Sequence, residues 1–236
     1  MSVVGSQDIP HVVVFARPPV PGRAKTRLAA TVGEDAAARL ATSFLRDTLA
    51  LCRTLPDHQI VLATVEPLAE YADQDSPLGR ELAALPIWPQ GEGDLGARME
   101  RAVRRALDMG PWAMIVGTDS PGLPLANLES AVRSLQHSDA VVGPTLDGGY
   151  YMLGMRRCPE GALDGLPWSS PQTCAATLER LYRLGLEPTV APTFLDIDTE
   201  EDLNAWLAGA TAGLWNAPFT DQALAELGMA VPPVEA

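Results

Sequence analysis

Short apolar runs rich in Val and Ile recur along the chain at 12–16, 59–65, 113–117, 140–143 and 189–195, and each predicts a β-strand. Between them, apolar residues return at helical spacing over 34–55, 67–84, 94–109, 125–136 and 170–185. Strands alternating with helices predict an α/β sandwich around a largely parallel sheet, and such sheets bind ligands beyond the carboxyl ends of their strands. Several boundaries carry a chemical mark. Thr31-Val-Gly-Glu34 reads as a capped helix start with Glu34 and Asp35 in the first turn. Leu184-Gly185 reads as a helix end, and Asp198-Thr-Glu-Glu-Asp-Leu203 opens another helix on an acidic turn. Beyond about residue 209 the pattern weakens into an Ala-rich tail, with a short helix expected at 220–228 and loose final residues.

Length and composition narrow the picture. The 236 residues are 47% hydrophobic, enough to bury one good-sized core, so a single domain spanning 1–236 is expected. No stretch approaches the roughly 20 apolar residues of a membrane helix. Residues 1–10 lack the basic-then-apolar succession of a secretory signal. Cys52, Cys158 and Cys174 are odd in number and far apart, which fits reduced thiols of a cytoplasmic protein and neither a disulfide framework nor a zinc site. A net charge of −13 argues against nucleic acid or an anionic membrane as partner.

Against that acidic background one cluster of cations stands out. Phe15-Ala-Arg-Pro-Pro-Val-Pro-Gly-Arg-Ala-Lys-Thr-Arg-Leu28 follows the first strand and holds Arg17, Arg23, Lys25 and Arg27. Lys25 is the only lysine among 17 basic residues. A lysine kept where arginine serves everywhere else suits a compact, mobile cation facing phosphate, so the loop reads as an anion site.

Carboxylates supply the complementary feature. In Met114-Ile-Val-Gly-Thr-Asp-Ser-Pro-Gly-Leu-Pro124 an apolar strand delivers Asp119 into a turn stiffened by Pro121 and Pro124. Mg²⁺ takes one or two carboxylates together with phosphates and waters, so Asp119 is a candidate metal ligand. In Phe194-Leu-Asp-Ile-Asp-Thr-Glu-Glu-Asp-Leu203 the helix dipole accounts for Glu200, Glu201 and Asp202. Asp196 and Asp198 alternate on one face of the preceding strand end, and either offers a second ligand.

Two Gly-rich segments are less specific. Asp147-Gly-Gly-Tyr-Tyr151 has the composition of a hairpin turn, while its glycines and aromatics also suit a substrate lying close to the backbone. Gly91, Gly93 and Gly96 precede a helix with Asp94 near its cap. With no long strand before them they make a base or ribose contact rather than a dinucleotide fingerprint. His11, His58 and His137 fall outside every motif, which weakens Ser-His-Asp or Cys-His catalysis. Gly22-Arg-Ala-Lys-Thr26 has Ala24 before the lysine and Pro19 where a Walker A loop has its first glycine, which argues against a P-loop.

Taken in order, six segments resemble a family of bacterial proteins known as DUF2064. They are the loop 15–28, Gly93-Asp-Leu-Gly-Ala-Arg-Met99, Gly117-Thr-Asp-Ser-Pro121, Asp147-Gly-Gly-Tyr-Tyr151, Pro167-Trp-Ser169 and Asp196-Ile-Asp-Thr199. The family is also described as an arsenosugar-biosynthesis-type or radical-SAM-associated glycosyltransferase family. It is similar in turn to the nucleotidyltransferases that make guanylyl-phospholactate and molybdopterin guanine dinucleotide.

The resemblance implies the glycosyltransferase A fold, a three-layer α/β/α Rossmann-like nucleotide-diphospho-sugar transferase domain with a mostly parallel mixed sheet. It implies a nucleotide or nucleotide-sugar bound through Ala16, Arg17, Arg23, Lys25, Arg27, Gly93, Asp94, Arg98 and Thr118, and Mg²⁺ or Mn²⁺ held by Asp119 and Asp198. Lys25 and Asp119 would be catalytic, and Asp147, Gly148, Gly149, Tyr150 and Trp168 would hold a small-molecule acceptor. The DxD-type motif of such enzymes reads Asp-Ser-Pro here, so its second aspartate has to come from elsewhere; Asp198 matches the downstream aspartate of the related nucleotidyltransferases. The expected activity is metal-dependent glycosyl transfer. The alternatives are nucleotidyl transfer to a small phosphorylated substrate with pyrophosphate release, and nucleotide sensing without catalysis.

Overall fold

Strand β1 (His11–Ala16) shows how the chain divides its apolar residues. Val12, Val14 and Ala16 enter one buried cluster while Val13 enters another on the opposite face, as alternation along a strand requires. In β4 (Ala113–Gly117) Met114 and Val116 join the first cluster, Ala113 and Ile115 the second. Strands apolar on both sides need a helical layer on each face.

The computed structural model of the chain describes residues 9–229. Besides β1 and β4, its strands are β2 (Gln59–Thr64), β3 (Ile87–Pro89), β5 (Ala140–Pro144), β6 (Tyr150–Met155) and β7 (Pro188–Val190). They form one sheet in the order β3-β2-β1-β4-β6-β5-β7, with β6 antiparallel to both its neighbours and the other pairs parallel. Helices α2 (Glu34–Arg53), α3 (Pro77–Ala83) and α5 (Leu125–Ser134) cover one face, and α4 (Leu95–Leu107) and α6 (Thr173–Arg183) the other. The three-layer, mostly parallel sandwich is therefore the observed fold. A third apolar cluster, centred on the fully buried Trp206 and Phe44, joins α1 (Thr26–Val32), α2, α7 (Glu200–Thr211) and α8 (Pro218–Glu226). No described helix is long and apolar enough to cross a membrane.

The differences from the sequence reading have local causes. The helix expected over 67–84 is a 3₁₀ turn, Leu68–Glu70, and a separate α3, because Ser76 caps α3 and Pro77 takes its first position. Thr31 is no cap: it lies inside α1, which Gly33 at φ 88° separates from α2. The strand expected over 189–195 stops at Val190, before Pro192, and only Phe194 rejoins the sheet through an isolated bridge to Thr145. Asp196 and Asp198 thus do not share a strand face. A short strand, β3, does precede Gly91, and β3, α4 and β4 make a βαβ unit. The loose ending expected at the C-terminus and most of the N-terminal stretch 1–10 fall outside the described residues.

Candidate active site

The carboxyl ends of β1 and β4 lie side by side and open on one edge of the sheet. From β1 the chain enters the basic loop, and from β4 it reaches Thr118 and Asp119. The loop ends at Lys25, held at φ 46°, ψ 48° just before α1. This left-handed conformation costs a non-glycine residue about 1 kcal/mol or more, so the surrounding structure must enforce it. It turns the side chain inward, where it is 7% exposed.

There the ammonium meets both candidate metal aspartates. Lys25 Nζ lies 2.5 Å from Asp119 Oδ1 and 2.8 Å from Asp198 Oδ1, and 5.7 Å from the centre of the Phe44 ring. Burial opposes the charge on Lys25, but the two carboxylates outweigh it and raise the pKa above the ordinary lysine value. Burial likewise opposes ionisation of Asp198, and Lys25, Arg27 and Arg17 together hold its carboxyl below the usual range. One positive charge thus faces two negative ones.

Two connected hollows, of about 440 Å³ and 490 Å³, meet at Gly117, Asp119 and Asp198. The first is lined by Ala16, Arg17, Arg23, Lys25, Arg27, Arg98 and Thr118, which brings together most of the expected nucleotide contacts. Arg23 is also paired with Glu66, and Arg98 Nη1 donates to Gln90 Oε1 at 3.3 Å. Gly93 and Asp94 line neither hollow: Asp94 accepts from Ala97 N at 2.9 Å as the cap of α4.

The second hollow is lined by Asp147, Gly149, Tyr150, Trp168 and Asp196, together with Arg27 and the shared aspartates. Asp147 Oδ1 accepts from Gly149 N at 2.8 Å and from Thr145 Oγ1 at 2.6 Å, so the same carboxylate shapes the β5–β6 hairpin and faces the hollow. Gly148 is not at the lining. With φ 89° and a Cβ position only 2.1 Å from Pro171 O, it is a close-approach glycine that lets the segment before α6 cross the turn. Tyr150 and Trp168 meet edge to face with centroids 6.3 Å apart. Burial first, then Asp147 and Asp198, push the Asp196 carboxyl up to about 7.

Gln90 is a lining residue that no sequence motif marks. Its buried amide donates to Ala16 O at 3.2 Å and Ala63 O at 2.9 Å, tying the ends of β1 and β2, while its oxygen holds Arg98. The only signal was its place directly after the three-residue β3. Among the described residues no group of three or more His, Cys, Asp or Glu side chains could hold a metal ion. The pair Asp119 and Asp198 still fits a cation of the Mg²⁺ type, because both already converge on the Lys25 ammonium and such ions take their remaining ligands from phosphate and water.

Comparison with known proteins agrees with the fold. The family model described as an uncharacterized protein conserved in bacteria, DUF2064, matches residues 48–170. A candidate nucleotide-diphospho-sugar transferase from Desulfovibrio desulfuricans G20 is 31% identical with a TM-score of 0.78, over 92% of this chain and 94% of that one. The inositol-1-phosphate CTP transferase from T. maritima shares the fold at 12% identity and a TM-score of 0.56, over 92% and 96% of the two chains. Rv0371C from Mycobacterium tuberculosis H37Rv, solved as a complex with manganese, does so at 15% identity and 0.50, over 83% and 97%. A search of the curated proteins found none that matches in sequence.

Proposed function

We propose, from the premise that the chain belongs to the DUF2064 family of bacterial proteins, that it is a nucleotide-binding transferase which moves a glycosyl group from a nucleotide-sugar to an acceptor hydroxyl. The observation that carries the choice of chemistry is the unequal charge of the two hollows. The first sets Arg17, Arg23, Lys25, Arg27 and Arg98 against Asp119 and Asp198. The second sets Arg27 alone against Asp119, Asp147, Asp196 and Asp198. A nucleoside diphosphate suits the first. The second repels a phosphorylated acceptor, which nucleotidyl transfer needs, and suits an uncharged hydroxyl compound resting on Tyr150 and Trp168.

In this reading the diphosphate lies against Arg17, Arg27 and Lys25, with the nucleoside toward Gln90, Arg98 and Met99. Asp119 and Asp198 would hold a divalent ion, which when bound would neutralise charge on the departing phosphate oxygens. The acceptor oxygen, presented from the second hollow, attacks the anomeric carbon as its bond to the diphosphate breaks. The hydroxyl proton passes to the Asp196 carboxylate lining the second hollow, and the nucleoside diphosphate remains in the first hollow. The cations there stabilise the charge that develops on the leaving group.

Nucleotidyl transfer is the second reading. The five cations of the first hollow favour it, since they also suit a triphosphate; the named activity of the T. maritima protein is of that kind. Incubation with Mn²⁺, each nucleoside triphosphate and a set of nucleotide-sugars, with cell extract as the acceptor source, separates the two. Release of nucleoside diphosphate with sugar-bearing product is expected. Pyrophosphate without any nucleoside diphosphate overturns glycosyl transfer, and absence of binding to every nucleotide overturns both.

A further inference from the structure

Lys25 occupies the space between one oxygen of each candidate metal aspartate. The atoms it contacts, Asp119 Oδ1 and Asp198 Oδ1, are oxygens through which this pair could hold a Mg²⁺-type ion. An ammonium at 2.5 and 2.8 Å from those oxygens leaves no room for a second cation between them. The ammonium is also well lodged. Its side chain is 7% exposed, runs beside Phe44, and starts from a left-handed backbone that the loop enforces. To leave, it needs another anion to meet.

The first hollow is where such an anion would arrive. Lys25 lines it together with Arg17 and Arg27, and four rotatable side-chain bonds let the ammonium move toward a phosphate while the backbone stays in place. We propose that Lys25 is an internal cation that holds Asp119 and Asp198 together until nucleotide phosphates draw it away, so that metal enters with the nucleotide and hardly at all before it. This rests on the nucleotide-dependent, metal-assisted reading above and adds an order of binding to it. Lys25 is then a positioning residue for the two aspartates in the free protein and a phosphate contact in the loaded one.

The consequence is a coupling between the two ligands, which linkage makes reciprocal: phosphate tightens metal by the factor by which metal tightens phosphate. The test is titration of Mn²⁺ by the loss of its free-ion electron paramagnetic resonance signal. It is run without nucleotide and with each of ADP, CDP, GDP and UDP, and corrected for the metal–nucleotide complex in solution. Wild type should bind Mn²⁺ weakly alone and at least tenfold more tightly with the preferred diphosphate. Lys25→Met, which removes the charge but keeps much of the bulk, should bind Mn²⁺ alone at least tenfold more tightly than wild type. Lys25→Arg should resemble wild type.

A folded Lys25→Met protein that binds Mn²⁺ alone no better than wild type overturns the internal-cation role while leaving metal-assisted transfer standing. Nucleotide binding with no Mn²⁺ uptake by any form under any condition overturns both. Should Lys25→Met fail to fold, equal Mn²⁺ affinity of the wild type with and without its diphosphate still overturns the proposal.

Discussion

Lys25 shows how one residue can carry two roles that the sequence presents as separate. It reads as a phosphate cation, and it sits between two carboxylates that read as metal ligands. Removing it leaves those carboxylates facing each other. Breaking a buried pair costs roughly 3–5 kcal/mol, but Asp119 and Asp198 are 51% and 38% exposed, which weakens the penalty. Lys25→Ala should therefore lower the melting temperature of the ligand-free protein by roughly 2–8 °C, corresponding to about 1–2 kcal/mol. Adding Asp119→Asn should restore part of the loss in a double-mutant cycle by calorimetry; an unchanged melting temperature in the single variant contradicts the ion pair. Asp196 makes a second test at this scale. Its folded pKa, about 7, lies above that of an unfolded aspartate, so the folded state binds the extra proton. Stability from this group is fully present below about pH 4 and is lost as pH rises through 7. In EDTA, Asp196→Asn should melt higher than wild type at pH 8, and the difference should shrink toward pH 5. A difference independent of pH speaks against the raised carboxyl.

Helix starts separate local from distant causes. Ser76, Asp94 and Thr199 each cap their own helix across three residues, and Thr199 with Asp202 completes a capping box. Such signals are legible in the sequence because both partners are near in it. Helix α8 starts at Pro218 after Ala217, which offers no side-chain acceptor. Its cap comes from Asp47 in the middle of α2: Oδ1 accepts from Phe219 N at 3.1 Å, and Oδ2 from Thr220 N at 2.9 Å and Thr220 Oγ1 at 2.6 Å. Asp47 is 172 residues from Phe219 in sequence, and it reads there as an ordinary polar position on a helix. Asp47→Ala should destabilise the protein by about 2 kcal/mol and speed hydrogen exchange first in Pro218–Glu226. Uniform acceleration across the sheet, with no preference for α8, would mean that the cap does not act locally.

For the whole molecule, the relevant division is between the two hollows, which share Asp119 and Asp198 and differ in charge. Trp168 belongs to the second alone. Its indole lies against Tyr150 and against Gly96, whose Cβ position is 2.9 Å from the Trp168 ring. Trp168→Ala should leave nucleotide affinity within about twofold while lowering transfer to acceptor at least tenfold, by the loss of stacking area for a ring-shaped acceptor. Calorimetric titration of nucleotide beside product release measures both. An equal fall in both would place Trp168 on the nucleotide side and undo the assignment of the hollows.

Much of this was present in the order of residues. Alternating apolar runs dictate an α/β sandwich because a strand buried on both faces can be satisfied only by helices above and below. Cations after one strand and a carboxylate after another dictate charge at the ligand edge, because that edge is where parallel strands deliver their loops. The resemblance named the residues to watch. What no local pattern contains is which charges meet. Lys25 and Asp198 lie 173 residues apart, and their 2.8 Å contact exists only because α1 and α7 pack through Leu28, Ile197 and Trp206. That Asp196 and Asp198 line one hollow without a strand to align them has the same origin, since the strand stops at Val190 and the later packing brings both there. The place of Gln90 beneath Arg98, and the sorting of the glycines into lining and spacer, depended likewise on segments distant in sequence. Side-chain type and period are properties of neighbours along the chain, whereas a site is a property of neighbours in space, and packing alone converts one into the other.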